Sequence, residues 1–159
     1  MRPARGASYL DTSFVVPFYL LETSSGRVEG FLRSQPPGSL VLSSWGGVEF
    51  ARTLARNVRM GLQEREKARA LFDVFEADAR TLFRVHVPTA ADFSLAASLL
   101  IGQPQSGLRG GDALHLAIAK NHGLTLYTLD KALLAAADTL GVAASTRAAE
   151  EHHDRQGYF

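Results

Sequence analysis

The run LRGGDALHLAIAKNHGLTLYTLDKALLAAA, residues 108–137, decides how this chain is read. A glycine-rich lead opens onto a helical pattern at Asp112, and Gly123 stops that helix as a left-handed C-terminal residue does. Leu124 to Thr128 then reads as a short strand. Asp130 to Leu140 reads as another helix, closed by Gly141. Helix, strand and helix in close succession are the unit of a parallel sheet, because parallel strands need a crossover element between them.

The same alternation extends in both directions. Ala7 to Leu10 is an apolar run ending in Asp11, and a helical stretch follows from Ser13 to Leu21. A second helix begins near Thr23 to Ser25, and Gln35-Pro36-Pro37-Gly38 breaks the chain. Ser39 to Leu42 reads as the second strand, with Ser43 or Ser44 as the cap of the next helix. Trp45, Val48, Ala51, Leu54, Ala55, Val58 and Leu62 fall at helical spacing and read as core, as do Leu71, Phe72 and Phe75 on a helix from Glu64 to Ala79. Leu82 to Val87 alternates like a strand that Pro88 ends. Thr89 and Asp92 resemble a capping box for a helix carrying Phe93, Ala96, Ala97, Leu100 and Ile101. Val142 to Ser145 is the expected last strand. These readings give one α/β domain over residues 1–147, with a parallel central sheet covered on both faces, and a polar tail over 148–159.

The bulk properties narrow the function classes. The chain has 159 residues, enough for one domain with a real core. It has no cysteine, which excludes disulfides, thiolate metal sites and a thiol nucleophile. A net charge of +1 sets up no strong global field, so contact with nucleic acid would need a local basic patch. The sequence has neither a membrane-length apolar run nor the apolar core of a signal peptide, and the expected setting is the cytoplasm.

Four carboxylates carry the chemistry. Asp11 ends the first strand, and Asp130 lies just past the Leu124–Thr128 strand. Glu49 and Asp112 lie in early turns of helices. In a parallel α/β sheet, strand ends and helix starts share the carboxyl edge, where ligands bind. All four acids belong to that edge; whether they converge depends on strand order. Two carboxylates about 5 Å apart repel by roughly 3 kcal/mol at an effective dielectric near 20, and a helix N-terminus returns only about 0.3–1 kcal/mol. Convergence therefore requires protonation or a cation, and an oxygen donor set without cysteine selects Mg²⁺ or Mn²⁺.

Each residue also has a plain structural reading. Asp11 and Asp130 stand at helix-cap positions, and Glu49 is spaced to pair with Arg52. His115, flanked by Leu114 and Leu116, is expected to be packed and hydrogen-bonded rather than a general base. His86 and His122 belong to no visible constellation, and His152 and His153 fall in the tail. Arg52, Arg56, Arg109 and Lys131 are spaced to contact phosphates, although a solvated face accounts for the α-helical pair equally well.

YLDTS at 9–13, the helical Glu49, LRGGDALHLA at 108–117 and LYTLDKALLAAA at 126–137 resemble the motifs of PIN-domain ribonucleases, most closely the toxins of VapBC-type toxin–antitoxin pairs. The resemblance implies a three-layer α/β/α sandwich. It also implies an acidic quartet of Asp11, Glu49, Asp112 and Asp130 binding Mg²⁺ or Mn²⁺, with Thr12, Ser13 and Thr128 as supporting hydroxyls. The implied activity is metal-dependent endonucleolytic cleavage of RNA, by a homodimer that a small antitoxin inhibits. Gly110 and Gly111 depart from the family pattern and are expected to loosen the helix start at Asp112. The other readings are an RNA- or partner-binding module without turnover and a phospho-accepting domain. The sequence disfavours the latter, because no lysine follows the last strand, and a D-x-D phosphatase, because Thr12 and Ser13 follow Asp11.

Overall fold

The computed structural model describes residues 7–146. The tail expected over 148–159, with His152 and His153, lies outside them. The elements run β1 (Ser8–Leu10), α1 (Thr12–Tyr19), α2 (Ser25–Ser34), β2 (Leu40–Ser43), α3 (Ser44–Arg59), α4 (Arg65–Thr81), β3 (Arg84–His86), α5 (Ala90–Gly102), a 3₁₀ turn (Pro104–Ser106), α6 (Gly110–His122), β4 (Thr125–Tyr127), α7 (Lys131–Thr139) and β5 (Ala144–Ser145).

All five strands are parallel, in the order β3-β2-β1-β4-β5. The first strand is thus central. Ser8 pairs with Leu40 on one side and with Thr125 on the other. Strand periodicity then divides the core in two. Tyr9, Val41 and Leu126 face one cluster with Ala96, Leu99 and the buried face of α6. Leu10, Leu40 and Leu42 face the other with Phe14, Phe50, Leu54 and Phe75. A sheet with an apolar cluster on each face is the three-layer α/β/α sandwich that the sequence resemblance implies.

The inward helix faces differ from the sequence reading in two places. On α3 the buried residues are Phe50 and Leu54, four apart, while Val48 is 56% exposed and Leu62 is 70% exposed beyond the helix end. Val48 lies two residues from Phe50, about 200° around the helix, so both cannot face the sheet. On α5 the buried stripe is Asp92, Ala96 and Leu99, whereas Phe93 and Ile101 are exposed. A carboxylate takes the first place on that stripe, and hydrophobic periodicity alone cannot predict it. Among the described residues, no helix is long and apolar enough to cross a membrane.

Candidate functional site at the carboxyl edge

Asp11 leaves the central strand buried, at 4% exposure, and caps α1 by accepting the Phe14 N–H at 3.0 Å. It is more than a cap. The Ser13 hydroxyl donates to Oδ1 at 2.8 Å, and the Thr128 hydroxyl donates to Oδ2 at 2.7 Å. Thr128 in turn accepts the Asp130 N–H at 3.0 Å, and Ser13 accepts the Leu129 N–H at 3.0 Å. Two hydroxyls thereby tie the β1–α1 turn to the β4–α7 turn. Burial pushes the Asp11 carboxyl above its ordinary value, and His115, Thr128, Ser13 and Phe14 only partly offset this.

Glu49 lies on α3, beside this turn. The Thr12 hydroxyl donates to its Oε2. His115 Nε2 lies 3.1 Å from Oε2 and 3.2 Å from Oε1. Burial alone would raise the Glu49 carboxyl. The His115 hydrogen bond and charge, with Thr12, outweigh it and hold the group below its usual value. Among the described residues the buried Trp45 indole N–H has no hydrogen-bond partner, and as a donor beside Glu49 it adds to the lowering of that carboxyl. His115 is itself buried, and its Nδ1 meets the Tyr9 hydroxyl at 2.6 Å. Burial raises Tyr9 and keeps it protonated. A chain of polar contacts therefore runs from Tyr9 in the core through His115 to Glu49. The sequence reading of His115 as packed and hydrogen-bonded agrees with this placement, but its partner Glu49, 66 positions away, has no local signal.

The other two acids stand nearer the solvent. Asp130 is exposed and caps α7, accepting from Ala132 N at 2.8 Å and Leu133 N at 3.2 Å. Asp112 is part-buried in the first turn of α6 and accepts the Arg109 N–H at 3.3 Å. The residue before it fixes its neighbourhood: a Cβ on Gly111 would lie 2.8 Å from Glu49 Oε1 and 3.1 Å from Trp45 Nε1. The start of α6 is thus pressed against the Glu49 carboxylate. Gly111 permits a close approach here, a role the sequence pattern does not reveal. Gly110 faces open space. Arg52, Arg56, Arg109 and Lys131 are all exposed.

One constellation escaped the sequence reading. His86 and His122 converge on Asp92, with His86 Nε2 at 2.8 Å from Oδ2 and His122 Nε2 at 3.0 Å from Oδ1. The only sequence clue was the capping box, which the structure shows in full: Thr89 N donates to Asp92 Oδ2 at 2.9 Å, and Asp92 N donates to Thr89 Oγ1 at 3.2 Å.

The PIN domain family model matches residues 8–139. The chain belongs to the PIN domain family. This is a family of nucleases, and the match spans all the elements that carry the acids. No curated protein matches the chain. Among solved structures, FitAcB from Neisseria gonorrhoeae is similar at 24% identity and TM-score 0.69, over 86% of this chain and 95% of that one. VapC20 from Mycobacterium tuberculosis, described as a sarcin-ricin loop cleaving toxin, is similar at 23% identity and TM-score 0.62, over 81% of this PIN domain chain and 94% of its own. VapBC2 from Rickettsia felis, solved with a DNA fragment from its promoter, is similar at 15% identity and TM-score 0.61, over 87% and 96% of the two chains. At these identities the structural likeness establishes the shared PIN fold.

Proposed function

We propose that this PIN-domain protein is a Mg²⁺-dependent endoribonuclease acting in the cytoplasm as the toxin of a toxin–antitoxin pair. The observation that carries the reading is Asp11, a buried carboxylate at the end of the central strand, pushed up by burial and wired to the turn bearing Asp130. The hydrogen bonds described for Asp11 come from two hydroxyls and a backbone N–H, all neutral donors, and a buried anion so served is chemically suited to a cation. The donors are carboxylate oxygens, which suit Mg²⁺, with Mn²⁺ as the next choice.

Asp11 and Asp112 would hold the principal ion, with Glu49 and Asp130 completing the set. When bound, the ion supplies charge neutralisation at the phosphoryl group and a more acidic water. The chain's own residues do the rest. Ser13 and Thr128 fix the Asp11 oxygens, and Thr12 and His115 fix Glu49 in its ionised form. Arg52, Arg56, Arg109 and Lys131 would bind phosphates flanking the cut. A small antitoxin and a second copy of the chain are the proposed protein partners. Their support is family membership and the VapBC and FitAB neighbours, which are toxin–antitoxin complexes.

Purified protein incubated with structured RNA and MgCl₂ should generate new RNA ends, and EDTA should stop it. Asp112→Asn should lower the rate by at least about a hundredfold, the scale of losing one charge-stabilising group. Saturable RNA binding without new ends would instead favour an RNA-binding module.

A further inference from the structure

The His86–Asp92–His122 cluster lies apart from the acidic edge. His122 ends the helix whose first turn carries Asp112, and ten residues of α-helix separate them by about 15 Å. Asp92 is fully buried, while the His86 and His122 side chains are 13% and 22% exposed, so the cluster opens to solvent from the imidazole side. The three candidate donor atoms all lie within 4.8 Å of one another, and the two rings have centroids 4.2 Å apart.

The Asp92 carboxylate has its orientation set without the histidines. Thr89 N–H donates to Oδ2 at 2.9 Å and Asn121 Nδ2 donates to Oδ1 at 2.9 Å. Those two bonds, one on each oxygen, already cap α5 and join it to α6. Two imidazoles on the same carboxylate exceed what a helix cap needs. Fixed donors behind a coordinating carboxylate are the outer-shell arrangement that orients metal ligands.

We propose that His86, Asp92 and His122 form a second cation site, specific for a borderline divalent transition ion of the Zn²⁺ class, that clamps the start of α5 to the end of α6. Two imidazoles and one carboxylate are the donor set of a three-ligand zinc site with a fourth position left for water. Tetrahedral donors at about 2.0–2.1 Å from Zn²⁺ lie about 3.4 Å apart. With Oδ2 as the ligand oxygen, its 2.8 Å contact to His86 Nε2 needs to open by about 0.6 Å, while its 3.3 Å contact to His122 Nε2 is already close to that separation. On binding, each neutral imidazole carries its proton on Nδ1 and presents the Nε2 lone pair to the ion. Nitrogen donors favour Zn²⁺ over Mg²⁺, so the two sites would separate the two metals by ligand type.

The test is ZnCl₂ titration of the metal-free full-length chain in excess MgCl₂, followed by calorimetry and by melting temperature, with Co²⁺ absorption reporting coordination. The expected result is one equivalent of Zn²⁺ bound with a raised melting temperature, binding at least tenfold weaker in His122→Gln and in His86→Gln, and tetrahedral Co²⁺ bands lost in both. Glutamine keeps a donor for Asp92, so each variant should fold, as circular dichroism would verify. Asp11→Asn and the double variant His152→Gln/His153→Gln should bind as wild type does. No Zn²⁺ binding by wild type, binding unchanged in both single histidine variants, or loss confined to the tail double variant would each overturn the proposal. In the first case the cluster is only a hydrogen-bonded buried carboxylate.

Discussion

The Thr128 hydroxyl donates to Asp11 Oδ2 at 2.7 Å across 117 positions of sequence, and its own oxygen, Thr128 Oγ1, accepts the Asp130 N–H at 3.0 Å. One buried hydroxyl thus serves the ends of two neighbouring strands. Thr128→Val keeps the shape and removes both bonds, leaving a buried carboxylate oxygen and a backbone N–H short of a partner. The expected cost is about 1–3 kcal/mol of stability. Urea unfolding at neutral pH checks it, and a loss below about 0.5 kcal/mol would mean that the hydroxyl bridge is incidental.

Asp11→Asn should stabilise the metal-free chain. The Asp11 carboxyl is raised in the folded state by burial, so its favourable contribution is present below the ordinary aspartate value and is lost as pH rises through the folded value. At neutral pH the ionised group is therefore a cost. Each kcal/mol relieved shifts a domain of this size by about 2–4 °C. Thermal melts in EDTA should show the variant melting higher at pH 7 than wild type, with the difference shrinking towards pH 4. A lower melting temperature at pH 7 would show that its hydrogen bonds outweigh the buried charge.

Glu49 has the opposite sign. Its carboxyl is held below the ordinary value, so the stability it contributes is present above the ordinary glutamate range and is lost as pH falls through the folded value. Glu49→Gln should flatten part of the acid limb of the stability profile below about pH 4.5. Melts at stepwise lower pH measure this, and an acid limb identical to that of wild type would remove Glu49 from the account.

Gly111→Ala places a Cβ 2.8 Å from Glu49 Oε1, so the carboxylate or the start of α6 must shift. Overpacking of this kind costs about 1–3 kcal/mol. Gly110→Ala faces open space and should not destabilise the chain. Denaturant unfolding of the pair, side by side, distinguishes a steric requirement from a general need for glycine, and equal losses in both would favour the latter.

Much of the architecture could be read from local signals. Strand 124–128, the glycine stops and the Thr89–Asp92 box are short-range patterns, and each corresponds to an element in the structure. The convergence of Asp11, Thr128 and Glu49 could not be read this way, because strand order sets it and no local pattern encodes strand order. His115 was legible as a packed histidine but its partner was not. Asp92 shows the limit most clearly. Period counting gives the inward place on α5 to Phe93, since a carboxylate is seldom buried, yet His86 at the end of the preceding strand and Asn121 and His122 at the far end of α6 supply the partners that offset that burial.

Calorimetric titration of the metal-free chain with MgCl₂, without RNA, bears most directly on the acidic edge. Wild type should bind Mg²⁺ with measurable heat, and both Asp11→Asn and Asp112→Asn should weaken that binding at least tenfold. Wild type that takes up no Mg²⁺, or either variant binding as tightly as wild type, would contradict a shared cation held between the end of β1 and the start of α6.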